Sequence, residues 1–241
     1  MKKILSYVRR ACQEFDLIQP GDNIAVGVSG GKDSLVLLAA LARMSRFADY
    51  DYNLHVITMD PRFGNVDGDF SSVERFCAGL GVPFTLIRTN IAEIVFDIRK
   101  EKNPCALCAK MRRGALHDAA KAAGCNKIAL GHNNDDVIET FIMNLFKEGR
   151  IGCFAPKSYL SRKDLTLIRP LVMTPESAVI STAKRENFTI IPSPCPVDKT
   201  TYRREIKEFL TQKEHEDKGF KHRMFTALRK SGVDGWGFKH D

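Results

Sequence analysis

The sequence predicts an α/β fold, a doubly wound parallel sheet with a helical C-terminal tail. Two observations carry that expectation. Short β-branched runs alternate with longer stretches of helical period, the pattern of strand and crossover helix. The least ordinary segments, SGGKDS at 29–34, the loop that follows Asp60 and GHNNDD at 131–136, each come directly after such a run. Parallel sheets place their ligands at the carboxyl ends of the strands, so these segments are the first candidates for a site.

The first strand is expected at Asn23 to Val28, NIAVGV. The glycines of SGGKDS then turn the chain, and SLVLLAALARM, 34–44, is rich in the helix formers Leu and Ala. A second strand is expected at Asn53 to Met59, ending at Asp60-Pro61. The Gly- and Asp-containing loop from Pro61 to Asp69 leads into an amphipathic helix around Phe70 to Leu80, and a third strand follows at Pro83 to Arg88. Cys105 to Ala123 reads as a helix closed by Gly124, ahead of a fourth strand at Lys127 to Leu130. From Asn134 to Phe146 the apolar residues Val137, Ile138, Phe141, Ile142 and Leu145 recur at helical spacing. A fifth strand is expected at Leu165 to Ile168, before Arg169-Pro170-Leu171. PSPCP at 192–196 is a rigid turn, and Thr200 to Arg229 reads as helical and densely charged. Residues 1–190 therefore read as one domain with an inserted cysteine helix, and 191–241 as a cysteine turn followed by a basic helical region.

The chain has 241 residues, 44% of them hydrophobic and 27% charged, which suffices for a buried core and excludes a disordered chain. The run Leu35 to Leu41 is far shorter than the roughly 20 apolar residues of a membrane span, and the opening MKKILSYVRRACQEFD turns charged too early for a signal peptide. A cytoplasmic protein without a membrane partner is expected. Lys plus Arg number 37 against 29 Asp plus Glu, a formal charge of +8 that admits a polyanionic partner. The seven cysteines are an odd set for a disulfide framework, and only Cys105 and Cys108 form a close pair.

Ser29-Gly30-Gly31-Lys32-Asp33-Ser34 lies between a strand and a helix, where free amides and the helix dipole favour an anion. The glycines let the backbone approach phosphate oxygens, Ser29 and Ser34 offer hydroxyls, and Lys32 adds a cation. The spacing fits neither G-x-x-x-x-G-K-[ST] nor G-x-G-x-x-G. Asp135 and Asp136 at a helix start are explained by capping alone, or by a role beside a nucleotide. Cys105-Ala106-Leu107-Cys108 could be a redox dithiol, half of a zinc site or two packing residues. Cys195, in Pro192-Ser193-Pro194-Cys195-Pro196, is the other cysteine held in a rigid turn. Three cysteines would ligate three irons of a 4Fe–4S cluster and leave the fourth open. Cys12, Cys77, Cys125 and Cys153 stand in apolar or helical contexts and read as packing residues, with a persulfide relay as the alternative for Cys153. His55 and His117 read as satisfied structural histidines.

SGGKDS resembles the SGGxDS signature of the PP-loop ATP pyrophosphatases, an adenine nucleotide alpha hydrolase-like fold family. The resemblance implies cleavage of ATP between the α and β phosphates and adenylation of a carbonyl oxygen. It further implies that Ser29, Gly30, Gly31, Lys32, Asp33, Ser34, Met59 and Gly131 bind ATP, with Asp33 on Mg²⁺ and Met59 and Asp60 receiving adenine through the backbone. GHNNDDVIETFIMNLF resembles GHxxDDxxETxxxNxF, a signature of the thiolating branch. The order SGGKDS, CxLCxxxRRxxL, GHxxDDxxETxxxNxF, RPL at 169–171 and a further cysteine resembles the tRNA 2-thiocytidine synthetase family over roughly residues 20–210. That likeness implies a tRNA sulfurtransferase in which ATP adenylates the C2 oxygen of a pyrimidine and sulfur carried on a 4Fe–4S cluster replaces it. Lys32, Asp33 and Asp136 become the catalytic candidates, and Cys105, Cys108 and Cys195 the cluster ligands. A sulfur donor, such as a cysteine desulfurase or sulfide, and a homodimer are implied as partners.

The Cys-Pro of PSPCP and the GHNxDD spelling are nearer the tRNA 2-thiouridine synthetases, which makes 2-thiouridine the alternative product. Those enzymes usually carry terminal zinc-binding cysteine pairs, and this chain has none. A lysidine-type amidating enzyme, and a non-catalytic nucleotide-binding or zinc-stabilised RNA-binding module, complete the alternatives. The cations Lys110, Arg112 and Arg113 beside the cysteine pair, and Lys199, Arg203, Arg204, Lys207, Lys218, Lys221, His222, Arg223, Arg229 and Lys230 in the tail, suggest a collar for tRNA. Glu205, Glu208, Glu214, Glu216 and Asp217 are interspersed among them.

Overall fold

Hydrophobic alternation along the strands places helices on both faces of one sheet. A computed structural model describes residues 1–47, 51–100, 103–197 and 202–237. Six strands, β1 (Asn23–Gly27), β2 (Asn53–Asp60), β3 (Phe84–Arg88), β4 (Lys127–Ala129), β5 (Lys157–Leu160) and β6 (Leu165–Ile168), run in the order β3-β2-β1-β4-β6-β5. Every pairing is parallel except β5 with β6. The chain moves outward from β1 to β3 and then returns to the other side of β1 for β4. That reversal opens a crevice between the carboxyl ends of β1 and β4.

Successive residues of a strand face opposite layers. Ile24 and Val26 of β1 join the larger core, with α1 (Lys2–Phe15), α2 (Lys32–Met44), α5 (Asn134–Lys147) and α6 (Glu176–Arg185). Ala25 between them joins Ile57, Ile128, Leu167 and the α4 residues Leu116 and Ala120 on the other face. The α4 helix spans Pro104–Ala122, and Gly124 after it takes the left-handed φ of 70° expected of a closing glycine. On the larger core's face, α3 (Ser71–Leu80) contributes Val73 and Cys77.

Several elements depart from the sequence expectation. The strand at Leu165–Ile168 is the sixth, because β5, short and half-exposed, pairs with it as an antiparallel edge hairpin. The α1 helix was not anticipated, although Ile4, Val8, Ala11, Cys12 and Phe15 lie buried along one of its faces. The tail expected as one helix is two, α7 (Tyr202–Glu216) and α8 (Phe220–Lys230), broken where Gly219 takes φ 85°. Thr200, at the expected start of that helix, and Lys199 lie outside the described residues. The tail's Ile206, Leu210, Phe225, Leu228 and Trp236 belong to the larger core. Trp236 stands edge-on to Phe15 and Phe225, at 5.5 and 5.6 Å, and its Nε1 donates to the Phe154 carbonyl. Among the described residues, no helix is long and apolar enough to cross a membrane.

Candidate active site

The turn after β1 is built to leave backbone amides free at the start of α2. Gly30 adopts φ 81°, a left-handed conformation that side chains other than glycine's disfavour. A Cβ there would also stand 2.8 Å from Ile191 Cδ1. Ser34 Oγ accepts from Ser29 N–H at 3.2 Å and donates to the Gly31 carbonyl at 2.9 Å, while Ser29 Oγ accepts from Gly31 N–H. Both serines thus brace the loop in this structure. Gly30→Ala is expected to destabilise the chain by about 1–3 kcal/mol through strain and overpacking. An unchanged melting temperature would contradict this.

The turn after β4 presses against the same loop. A Cβ on Gly131 would lie 3.1 Å from Ser34 N and from the Asp33 carbonyl carbon, so only glycine permits the approach. Asn133 caps α5, accepting from the N–H groups of Asp135 and Asp136, and Asp136 Oδ2 accepts from Asn133 N–H in return. The Asn133 amide also donates to Asp33 Oδ1 at 2.8 Å, tying the two turns together across the crevice. Met59 is the penultimate residue of β2 and follows Thr58, whose hydroxyl donates to the Val28 carbonyl at 2.7 Å. That bond puts Met59 beside the phosphate-loop end of β1. Asp60 closes the following loop instead, accepting from Arg62 and Gly68 N–H groups.

Charge at the crevice is arranged in pairs. Lys32 Nζ lies 2.8 Å from Asp33 and 3.0 Å from Glu176. Burial works against its charge, but the hydrogen bonds and fields of those two carboxylates prevail and hold its pKa up at about 12. Glu176, which opens α6, was not anticipated from the sequence. Burial alone would raise its carboxyl, yet Lys207 and Lys32 hold it below the ordinary range. Burial pushes the Asp136 carboxyl upward, helped by Asp33 and Glu176 and opposed by its bond to Asn133 and by Arg203. Arg203, from α7, bonds Glu139 at 3.2 Å and Thr140 at 3.1 Å and lies 3.5 Å from Asp136.

Glu139 is almost wholly buried, and burial together with Asp136 lifts its pKa from the ordinary 4.5 to about 7. The folded chain therefore binds this proton more tightly than the unfolded chain. That contribution is fully present below pH 4.5 and is lost as pH rises through about 7. Glu139→Gln is expected to stabilise the protein at pH 8 by on the order of 3 kcal/mol and to have little effect near pH 4. Melting curves at the two pH values check it, and equal effects at both would contradict it.

His132, also unanticipated, is neutral. Burial and the cations Arg169 and Arg203 push its pKa down to about 3. Its ring and the Arg169 guanidinium each lie 4.9 Å from the centre of the Phe154 ring. The buried His132 Nδ1 and Arg169 Nε have no hydrogen-bond partner among the described residues.

Of the three candidate cluster cysteines, Cys105 and Cys195 both lie within electrostatic reach of Cys108. Cys105 is exposed at the start of α4, Cys195 is half-buried, and Cys108 is buried one helical turn after Cys105. Burial pushes the Cys108 thiol up, Arg112 pulls it down, and Cys195 and Cys105 are close enough to push it up again. Ile191 N–H donates to the Gly30 carbonyl at 3.0 Å, which anchors the Cys195 turn to the phosphate loop. Among the described residues, no three His, Cys, Asp or Glu side chains form a cage for one metal ion. Two thiols within electrostatic reach of a third, with Cys105 exposed, offer the donor chemistry of a cluster that takes three cysteine ligands. The remaining cysteines, Cys12, Cys77, Cys125 and Cys153, are buried. Cys153 donates its thiol to the Val137 carbonyl at 3.3 Å, and burial pushes its pKa up to about 12, which suits packing rather than a relay.

The tail's cations are largely spoken for. Arg203, Arg204, Lys207, Lys221, Arg223 and Arg229 pair with Glu139, Glu208, Glu176, Asp135, Asp217 and Glu14 respectively. Among the described residues, Lys110, Arg112 and Arg113 of α4 and Lys218, His222 and Lys230 of the tail have no carboxylate partner, so the uncommitted part of the expected collar is divided between the cysteine helix and the tail.

A family model described as a PP-loop domain matches residues 4–214. The tRNA-cytidine(32) 2-sulfurtransferase of Geobacter sulfurreducens is 36% identical over 230 residues, covering 94% of this chain and 89% of that protein. A protein of Francisella philomiragia, tRNA-cytidine(32) 2-sulfurtransferase 1, is 34% identical over 218 residues, 90% of this chain and 84% of its own. Among solved structures, the U34-tRNA thiolase NcsA from Methanococcus maripaludis with its 4Fe–4S cluster superposes with a TM-score of 0.74 and 25% identity. The match covers 93% of this chain and 77% of that one. An NAD⁺ synthetase from Burkholderia pseudomallei, at TM-score 0.50 and 15% identity, shares the fold.

Proposed function

Because the chain belongs to the PP-loop family, in its tRNA-cytidine(32) 2-sulfurtransferase branch, we propose that it thiolates cytidine 32 of tRNA at the expense of ATP. The cytidine C2 oxygen attacks the α-phosphate of ATP, the bond to the β-phosphate breaks, and pyrophosphate leaves. Sulfur then forms a bond to C2 as the C2–O bond breaks and AMP departs with the oxygen. The product is 2-thiocytidine. The observation that carries this reading is the joining of three parts at one crevice: the phosphate loop, the Asn133–Asp136 turn bonded to it, and the cysteine turn anchored on Gly30.

Within that crevice the amides of Gly30, Lys32, Asp33 and Ser34 at the α2 N-terminus receive the phosphates of ATP, on a loop that Ser29 and Gly31 brace from within. Lys32 balances the charge that accumulates on the leaving pyrophosphate. Asp33 would hold Mg²⁺, which would supply positive charge to the phosphates of ATP. The backbone of Met59 receives adenine, and Gly131, whose missing Cβ lets the β4 turn meet the phosphate loop, lines the nucleotide site. Asp136, its carboxyl raised by burial, takes the proton released when sulfur replaces oxygen. Cys105, Cys108 and Cys195 hold the 4Fe–4S cluster, which when bound supplies an open iron to carry the incoming sulfur. Residues 1–190 thus act as the ATP-binding domain, and 191–241 add the third cysteine and a helical cover.

The substrate sets the remaining partners. A tRNA acceptor fits a cytoplasmic setting and calls for a sulfur donor such as a cysteine desulfurase or sulfide, and the family likeness adds a homodimer to the proposal. The α4 cations Lys110, Arg112 and Arg113 meet tRNA phosphates, so affinity falls steeply with salt. Replacing all three by alanine should weaken tRNA binding about 10-fold or more and flatten the salt dependence, whereas Arg204→Ala should do little. The direct test is anaerobic turnover with ATP, Mg²⁺, sulfide and tRNA. AMP and pyrophosphate released in equal amounts, only when tRNA is present, support the reading. Release of ADP or phosphate would overturn it. A 2-thiouridine product is the second reading, favoured by the Cys-Pro of PSPCP and the GHNxDD spelling and by the likeness to a U34-tRNA thiolase, and outweighed by relatives at 34–36% identity that are cytidine(32) sulfurtransferases.

A further inference from the structure

Glu176 links the phosphate loop to the C-terminal helices. Its carboxylate is 3.0 Å from Lys32 Nζ and 2.7 Å from Lys207 Nζ of α7, so two ammonium groups share it. Its position does not depend on those pairs. The Glu176 backbone N–H donates to Asp135 Oδ2 at 2.7 Å, and Asp135 Oδ1 accepts from Lys221 of α8 at 3.0 Å. The side chain is therefore presented from a fixed helix start while its charge is divided between a cation that meets substrate and one that does not.

We propose that Glu176 is a positioning residue that competes with the phosphates of ATP for Lys32, and that Lys207 sets how strongly it competes. This rests on the reading that residues 29–34 seat the pyrophosphate portion of ATP. An incoming polyphosphate must draw Lys32 away from Glu176, leaving that carboxylate close to other negative charge. Lys207 softens this penalty by remaining paired with Glu176. Once the α–β bond has broken, Glu176 reclaims Lys32 and loosens the hold on pyrophosphate. The arrangement trades some binding strength for product release.

Removing Glu176 and removing Lys207 should consequently act with opposite signs. Titration of the full chain with inorganic pyrophosphate and Mg²⁺ is expected to show Glu176→Gln binding about 3- to 10-fold tighter than wild type. Lys207→Met should bind weaker by a similar factor. In the double variant the Lys207→Met effect should vanish, because it operates through the carboxylate already removed. In turnover, Glu176→Gln should lower KM for ATP and strengthen inhibition by pyrophosphate. A purely structural role would weaken binding in both single variants, and that outcome overturns the proposal, as does a Lys207 effect that persists in the double variant. A wild-type chain that binds no pyrophosphate would overturn the reading of the loop itself and this inference with it.

Discussion

Lys32→Ala is expected to lower ATP-dependent turnover by about 10²- to 10³-fold, the usual cost of removing one preorganised group that stabilises developing charge. The ammonium is half-buried at the start of α2, between Asp33 at 2.8 Å and Glu176 at 3.0 Å. With its pKa held at about 12, it is charged at neutral pH. Negative charge grows on the pyrophosphate as the α–β bond breaks, so the loss should fall on kcat more than on tRNA binding. The fold should survive, because Glu176 keeps Lys207 as a partner and the α2 core residues are untouched. Single-turnover release of pyrophosphate, with a melting curve as control, measures the effect. A loss under about tenfold with an intact fold would remove Lys32 from the chemistry.

Cys108→Ala should cut thiolation by more than about 100-fold while leaving ATP binding unchanged. Cys108 is the buried member of the three, and its thiol feels both Cys105 and Cys195. A cluster retaining two ligands is released or degraded, so the anaerobically purified variant should lack the brown colour and visible absorption of the wild type. Removing one small thiol from a satellite cluster of Ile91, Val95 and Cys108 should cost little stability. Cys12→Ala is the matched control, since Cys12 is buried in the main core away from the crevice. A colourless wild type carrying stoichiometric zinc would contradict the assignment, as would a Cys108 variant that stays brown and active.

Local chemistry with a short reach was legible in the sequence. SGGKDS has to be a strand-to-helix turn because its glycines and hydroxyls serve the backbone, and the structure places it there. The β4 turn could be identified as a helix start because Asp135 and Asp136 suit a first turn, whereas Asn133 as the cap that Asp136 answers emerges only from the structure. What escaped depended on distant partners. Glu176 looks like an ordinary first-turn carboxylate until α6 is packed beside the phosphate loop. His132 seems one more polar residue until Phe154 and Arg169 enclose it. The α1 helix has a clear apolar stripe but no cap that marks its start, and β5 is too short and polar to declare itself without β6. The tail's positive charge misled for a related reason: in sequence Arg203, Lys207 and Lys221 are simply basic, and only the fold reveals that Glu139, Glu176 and Asp135 await them.

The central claim is that this chain puts sulfur on cytidine in tRNA. Mass spectrometry of tRNA nucleosides from a strain lacking the chain tests that claim most directly. Loss of 2-thiocytidine, restored by the wild-type chain and not by the Lys32→Ala or Cys108→Ala variant, is the predicted result. An unchanged 2-thiocytidine level, or loss of a 2-thiouridine in its place, would contradict it.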